Sequence, residues 1–82
     1  MEGLVVAEQV YMESGSYADK IYAKVFECEE RCRVRELYVE EAIIGDFSRV
    51  GSVRYSGELR TGRGVEIAAS EKVDVIEFPR DP

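Results

Sequence analysis

The chain contains no histidine, no tryptophan and no asparagine in its 82 residues. Histidine is the commonest general base and metal ligand near neutral pH, so its absence removes the simplest catalytic and metal-binding schemes. Neither of the strongest hairpin dipeptides, Asn-Gly and Asp-Gly, occurs. There are two cysteines and two prolines. No apolar run approaches the ~20 residues of a membrane-spanning helix. The N-terminal MEGLVVAEQVYMESG has no basic start, and acids interrupt its short apolar run. It does not read as an export signal, so reduced thiols and a cytoplasmic location are the expectation.

What is present is a hydrophobic fraction of 45% and a net charge of -6. The first is enough for a core, and the length suits one small domain over residues 1–82. The second argues against nucleic acid as a partner. The charge is uneven: arginines concentrate in residues 31–63, while both flanks are acidic.

β-Branched and aromatic residues fall in short bursts such as VVA, IYA, LYV, AII and VRY. Bursts broken by Gly, Ser and charges read as short strands. They also repeat. Val5, Ile21, Leu37 and Val53 lie 16 residues apart, with Ala7, Ala23, Val39 and Tyr55 two positions on. Met12, Cys28 and Ile44 follow, then Ala18, Val34 and Val50. A fixed period means that one unit is stacked. Within a unit, period-two alternation gives inward pairs such as Ile21/Ala23, Phe26/Cys28 and Cys32/Val34. Three pairs per unit predict three sides. The expected fold is an all-β, three-sided parallel β-solenoid of about five coils, over residues 4–19, 20–35, 36–51, 52–67 and 68–79. A small antiparallel barrel or meander is the alternative.

In the fourth unit Leu59 follows Val53 by six residues instead of seven, which reads as a unit one residue short at a corner. A partial fifth coil is expected through Ala68, Val73, Val75 and Phe78. Gly3 at one end and Pro79-Arg80-Asp81-Pro82 at the other could blunt the open coils, because proline cannot extend a ladder. Stacking also predicts alternating charge columns: Asp19 on Arg35, Lys20 on Glu36, and Glu8 on Lys24 on Glu40. Arg33 and Arg49 form a like-charge step beside Tyr17.

The segments KIYAKVFECEERCRVR, ELYVEEAIIGDFSRVG and SVRYSGELRTGRGVEI resemble the coils of bactofilins, the polymer-forming cytoskeletal proteins of bacteria. The resemblance spans roughly residues 5–76. It implies a right-handed triangular β-helix that assembles end to end into nucleotide-free filaments.

Cys28 and Cys32 form a CxxxC pair, but the chain has no further Cys or His to complete a zinc site. Their slots match those of Met12 and Ile44, and of Ser16 and Ser48, so both are expected inward as small packing residues. The RTGRG run at Arg60–Gly64 could bind an anion, or could be a corner whose glycines supply positive φ. The doublets Glu29/Glu30 and Glu40/Glu41 point to opposite faces of a strand and form no converging acid–base pair. Tyr22 and Tyr38 share an outward column with Val6 and Arg54. The expected function is non-catalytic, with no cofactor and no metal: a scaffold that self-associates, with a surface drawn from Tyr22, Tyr38 and Arg54. The alternative is a protein- or anion-binding module using Arg31, Arg33, Arg49, Arg60 and Arg63.

Overall fold

The computed structural model describes residues 4–78. Five strands follow one another: β1 (Leu4–Met12), β2 (Tyr17–Cys28), β3 (Arg33–Ile44), β4 (Arg49–Thr61) and β5 (Glu66–Lys72). They form one sheet in sequence order, and every neighbouring pair is parallel. An antiparallel meander is therefore excluded. The fold is a β-solenoid of about four turns. None of the described residues forms a helix long and apolar enough to cross a membrane.

The register follows the sequence period. Val5 pairs with Ile21, Ile21 with Leu37, and Leu37 with Val53, so the four form one column. Each complete coil breaks its in–out alternation three times, and each break is a corner. In the second coil, two consecutive residues face outward at Asp19–Lys20 and again at Lys24–Val25. The third break is the turn at Glu29–Arg31. Between the corners, the inward residues of β2 and β3 are buried without exception. Large and small side chains alternate along a column: Phe26, completely buried, stacks on Ala42. That alternation lets coils about 4.8 Å apart share one close-packed interior.

The fourth coil differs from the sequence expectation. It is one residue longer than its predecessors, where a missing residue was expected. Val39 pairs with Tyr55 at a step of 16, but Glu41 pairs with Glu58 at a step of 17. Leu59 therefore stacks on Ala42 and Thr61 on Ile44, while Ile67 stacks on Val50. Either reading points Leu59 inward, so hydrophobicity alone did not distinguish them. The extra residue sits at the Ser56–Gly57 corner as a bulge. There a Cβ on Gly57 would lie 2.6 Å from the Glu40 carbonyl oxygen, so the bulge brings backbone against backbone and excludes a side chain.

The fifth coil also departs from expectation. Ser70 stacks on Val53 and Lys72 on Tyr55, so the apolar columns end in polar residues. Ala68 and Val75 are exposed and do not continue the inward series. Val73 donates its N–H to the Tyr55 carbonyl at 2.9 Å, and the strand has ended by that point. The chain then returns along the outside. Ile76 is buried but belongs to no part of the interior cluster, and Phe78 reaches the Tyr22 ring, three coils back. The proposed end caps, Gly3 and Pro79–Pro82, lie outside the described residues.

Candidate functional site

The three sides carry different chemistry, and the register explains why. Residues sixteen or seventeen apart stack, so each outward column lines up one position of the repeat.

The first side follows each turn and carries Tyr17, Arg33, Arg49 and Glu66 in one column. Arg49 pairs with Glu66 at 3.1 Å, and at the neighbouring corner Arg35 pairs with Asp19 at 3.4 Å. Arg31, Arg33 and Arg49 line one cavity with Cys32 and Phe47. Arg31 and Phe47 both lie in the left-handed region, with φ of 57° and 60°. Gly15 and Gly64 occupy the same slot of their own turns, with φ of 76° and 69°. The slot demands positive φ, and two coils fill it with side chains that pay strain to be there. Glycine at both ends of that column is the sequence signal for this conformation, and the two middle turns carry no such signal.

The second side carries the ladder Tyr22, Tyr38, Arg54 and Glu71. The tyrosine rings stack at 4.4 Å between centroids and 11° between planes. The Arg54 guanidinium lies 5.9 Å from the Tyr38 ring and pairs with Glu71 at 3.2 Å. Lys20 aligns with Glu36 in the ladder, but its ammonium lies 5.8 Å and 5.7 Å from the two tyrosine rings. Glu36 instead accepts from the Tyr38 hydroxyl at 2.9 Å, which together with partial burial raises that phenol's pKa. Phe78 tilts against Tyr22 at 6.2 Å. Both tyrosines are half-buried, and this side is already engaged with its own chain.

The third side is acidic and apolar. Its two columns are Gln9, Val25, Glu41, Glu58 and Tyr11, Glu27, Ile43, Arg60. Arg60 pairs with Glu58, which raises the guanidinium pKa further. Arg60 is thus on a different side from Arg33 and Arg49. Arg63 sits at the turn corner, where its N–H donates to Asp46 Oδ1 at 2.8 Å and its carbonyl accepts from Phe47 at 2.8 Å. The RTGRG run is a corner with its backbone already bonded, and Gly64 supplies the positive φ. The arginines singled out in the sequence therefore divide: Arg31, Arg33 and Arg49 line one cavity, Arg63 sits at the same turn corner outside that lining, and Arg54 and Arg60 lie on the other two sides.

Cys28 and Cys32 are both free and buried. Burial pushes the Cys28 thiol pKa up. Cys32 Sγ donates to the Glu13 carbonyl at 3.1 Å, and Ser48 Oγ accepts from the Cys32 N–H at 3.1 Å. These contacts tie the turns of successive coils together from inside. Glu40 and Glu41 are both exposed. Among the described residues, no three Cys, Asp or Glu side chains group closely enough to hold a metal ion.

Fold and surface together define a parallel β-solenoid with one basic, one aromatic and one acidic side. No family model, curated protein or solved structure matches the chain.

Proposed function

We propose that this protein is a non-catalytic, bactofilin-like scaffold that self-associates through the coil end formed by β1. The observation that carries this reading is the inequality of the two ends. Strand β5 closes the stack with Ser70 and Lys72 where the interior columns would continue. Strand β1 does not close it. Among the described residues, no strand pairs with the outer edge of β1, and Val5, Val10 and Met12 line a cavity of about 420 Å³ beside Ala18 and Ile21. An unpaired strand edge over an apolar layer is a template for another strand. Joining β1 to β5 of a second copy would place Lys72 against the interior. Joining β1 to β1 places apolar layer on apolar layer, related by a two-fold axis. A small core gains stability from such pairing.

Light scattering of the 82-residue chain in 0.5 M salt tests this end contact, because high salt screens surface charge. The expected result is a dimer that dissociates on dilution. Val5→Lys and Val10→Lys, both at the open layer, should give folded monomers. A folded wild-type monomer at all concentrations would sink the end contact.

A further inference from the structure

The first and third sides of the solenoid carry patches of opposite charge. The first side and its turn corner bring Arg31, Arg33 and Arg49 together with two exposed aromatic rings, Tyr17 at 50% and Phe47 at 51%. The third side exposes Val25 at 39% and Ile43 at 46%, interleaved with Glu27, Glu41 and Glu58. Between them Val25, Ile43, Glu41 and the ion pair of Glu58 with Arg60 border a concavity of about 140 Å³, in which Glu41 is the carboxylate without a cation beside it in the same lining. A cavity of about 150 Å³ accommodates a benzene ring. The ring best placed to enter it is Phe47. Its backbone is held in the left-handed region, and its ring lies over Gly64, where a Cβ would come within 2.6 Å of Phe47 Cδ1. Gly64, bare of a side chain, thus makes room for the ring at the corner, and half of the residue stays open to solvent. Strain kept at two neighbouring turns, beside a basic cluster in which, among the described residues, Arg49 alone is held by an ion pair, with Glu66, in a chain of net charge -6, marks this corner as a contact surface.

We propose that the arginine corner of one copy docks on the acidic, apolar side of a second copy. The Phe47 ring enters the Val25–Ile43 concavity, and Arg31 and Arg33 face Glu27 and Glu41. The two patches differ, so the contact is heterologous and leaves one free patch of each kind on every pair. It therefore propagates sideways, at right angles to the coil-end contact. This lateral contact rests on the self-association reading, but on none of the β1 residues.

The experiment measures association of the full chain by light scattering at about 20 mM and 0.5 M salt, where charge screening differs severalfold. The Val5→Lys background isolates the lateral contact from the end contact. The expected result is association at low salt that is lost at high salt. Arg33→Glu and Glu41→Arg, both at exposed positions, should each weaken it roughly tenfold or more. An equimolar mixture of the two variants should recover it, because each retains the patch that the other has lost. Phe47→Ser should also weaken it at low salt, where the wild-type contact forms. Salt-insensitive association, or a mixture that fails to recover, would overturn the lateral contact and leave the end contact standing. A chain that stays monomeric at low salt but binds polyglutamate through Arg33 would overturn the second copy as occupant.

Discussion

The two central coils and the two end coils follow one repeat but are filled differently. In β2 and β3, each inward slot is apolar and buried, and the turn slot holds Cys32 or Ser48, both sealed from water. In β5 the ladder continues in register, yet Ser70 and Lys72 occupy the inward columns. In β1 the inward slots stay apolar, although Val5 and Val10 are only half-buried. Ladder geometry and interior chemistry are thus separable. Backbone pairing continues as long as the chain can coil, whereas the interior is apolar only where a coil lies on both sides. The exception is β1, which keeps an apolar layer although, among the described residues, no coil lies above it. That exception is what makes the two ends chemically different.

The largest test of this contrast is a carboxylate placed in one column at two depths. Leu37 and Ser70 belong to the same inward column, through Val53. Leu37 is 1% exposed, so Leu37→Asp buries a charge with no partner. That costs several kcal/mol, comparable with the ~5–15 kcal/mol that holds a small domain together. Leu37→Asp should show no cooperative urea transition by circular dichroism at 25 °C. Ser70→Asp, at an exposed position of the last coil, should shift the transition by no more than about 0.5 kcal/mol. Equal damage at both sites would show that the interior continues into β5.

The same contrast explains what could be read from sequence. The period, the three sides and the inward identity of Ile21, Phe26, Leu37 and Val50 were legible, because each coil presents the same slots to its neighbours. Cys28 and Cys32 were legible as packing residues for the same reason. The direction of the irregularity in the fourth coil was not. One residue fewer and one residue more both point Leu59 inward, and only the ladder partners distinguish them. The course of residues 73–78 was also hidden. Val73, Val75 and Phe78 have the apolar content of a further coil, but nothing in their spacing says that Phe78 turns back to Tyr22. The candidate surface was half legible: the sixteen-residue step places Arg33 beside Arg49 and Arg31 beside Phe47, but the period alone does not show that both columns line one cavity.

The next largest effect concerns the corner where the repeat lengthens. Gly57 lies against the Glu40 carbonyl, and a methyl group there cannot be accommodated without moving one backbone relative to the other. Gly57→Ala should cost about 1–3 kcal/mol, in the range for strain at a tight backbone approach. Gly15→Ala makes the comparison at the open end. Nothing lies within 4 Å of its added Cβ, so only the positive φ opposes it, and about 1 kcal/mol is expected. A larger loss at Gly15 than at Gly57 would mean that the bulge is soft and the register shift is not fixed by contact with Glu40.

The smallest effect separates the first coil from the central ones by pH. Coils two and three are joined mainly through buried side chains, whereas β1 is joined to the next turn partly by an exposed polar contact. The Tyr11 hydroxyl donates to Glu29, which also accepts from the Ser14 N–H at 3.1 Å and the Ser14 hydroxyl at 3.2 Å. Donation from Tyr11, then from Ser14, holds the Glu29 pKa below the usual carboxylate range. The same hydrogen bond pushes the Tyr11 pKa up to about 12. Because the carboxyl pKa is lower in the folded chain, its contribution is complete above the ordinary value of about 4.3 and fades as pH falls through the folded value. Because the phenol pKa is higher in the folded chain, its contribution is complete below the ordinary value of about 10 and fades as pH rises towards 12. The difference in Tm between wild type and Tyr11→Phe should therefore be level between about pH 5 and 9, and should shrink on both sides. Tyr38→Phe tests the other region. Its hydroxyl also bonds a carboxylate, but its ring is stacked inside the tyrosine ladder, so the substitution keeps the packing. A Tyr11→Phe difference that stays level down to pH 3 would show that the first coil is held by its apolar layer alone.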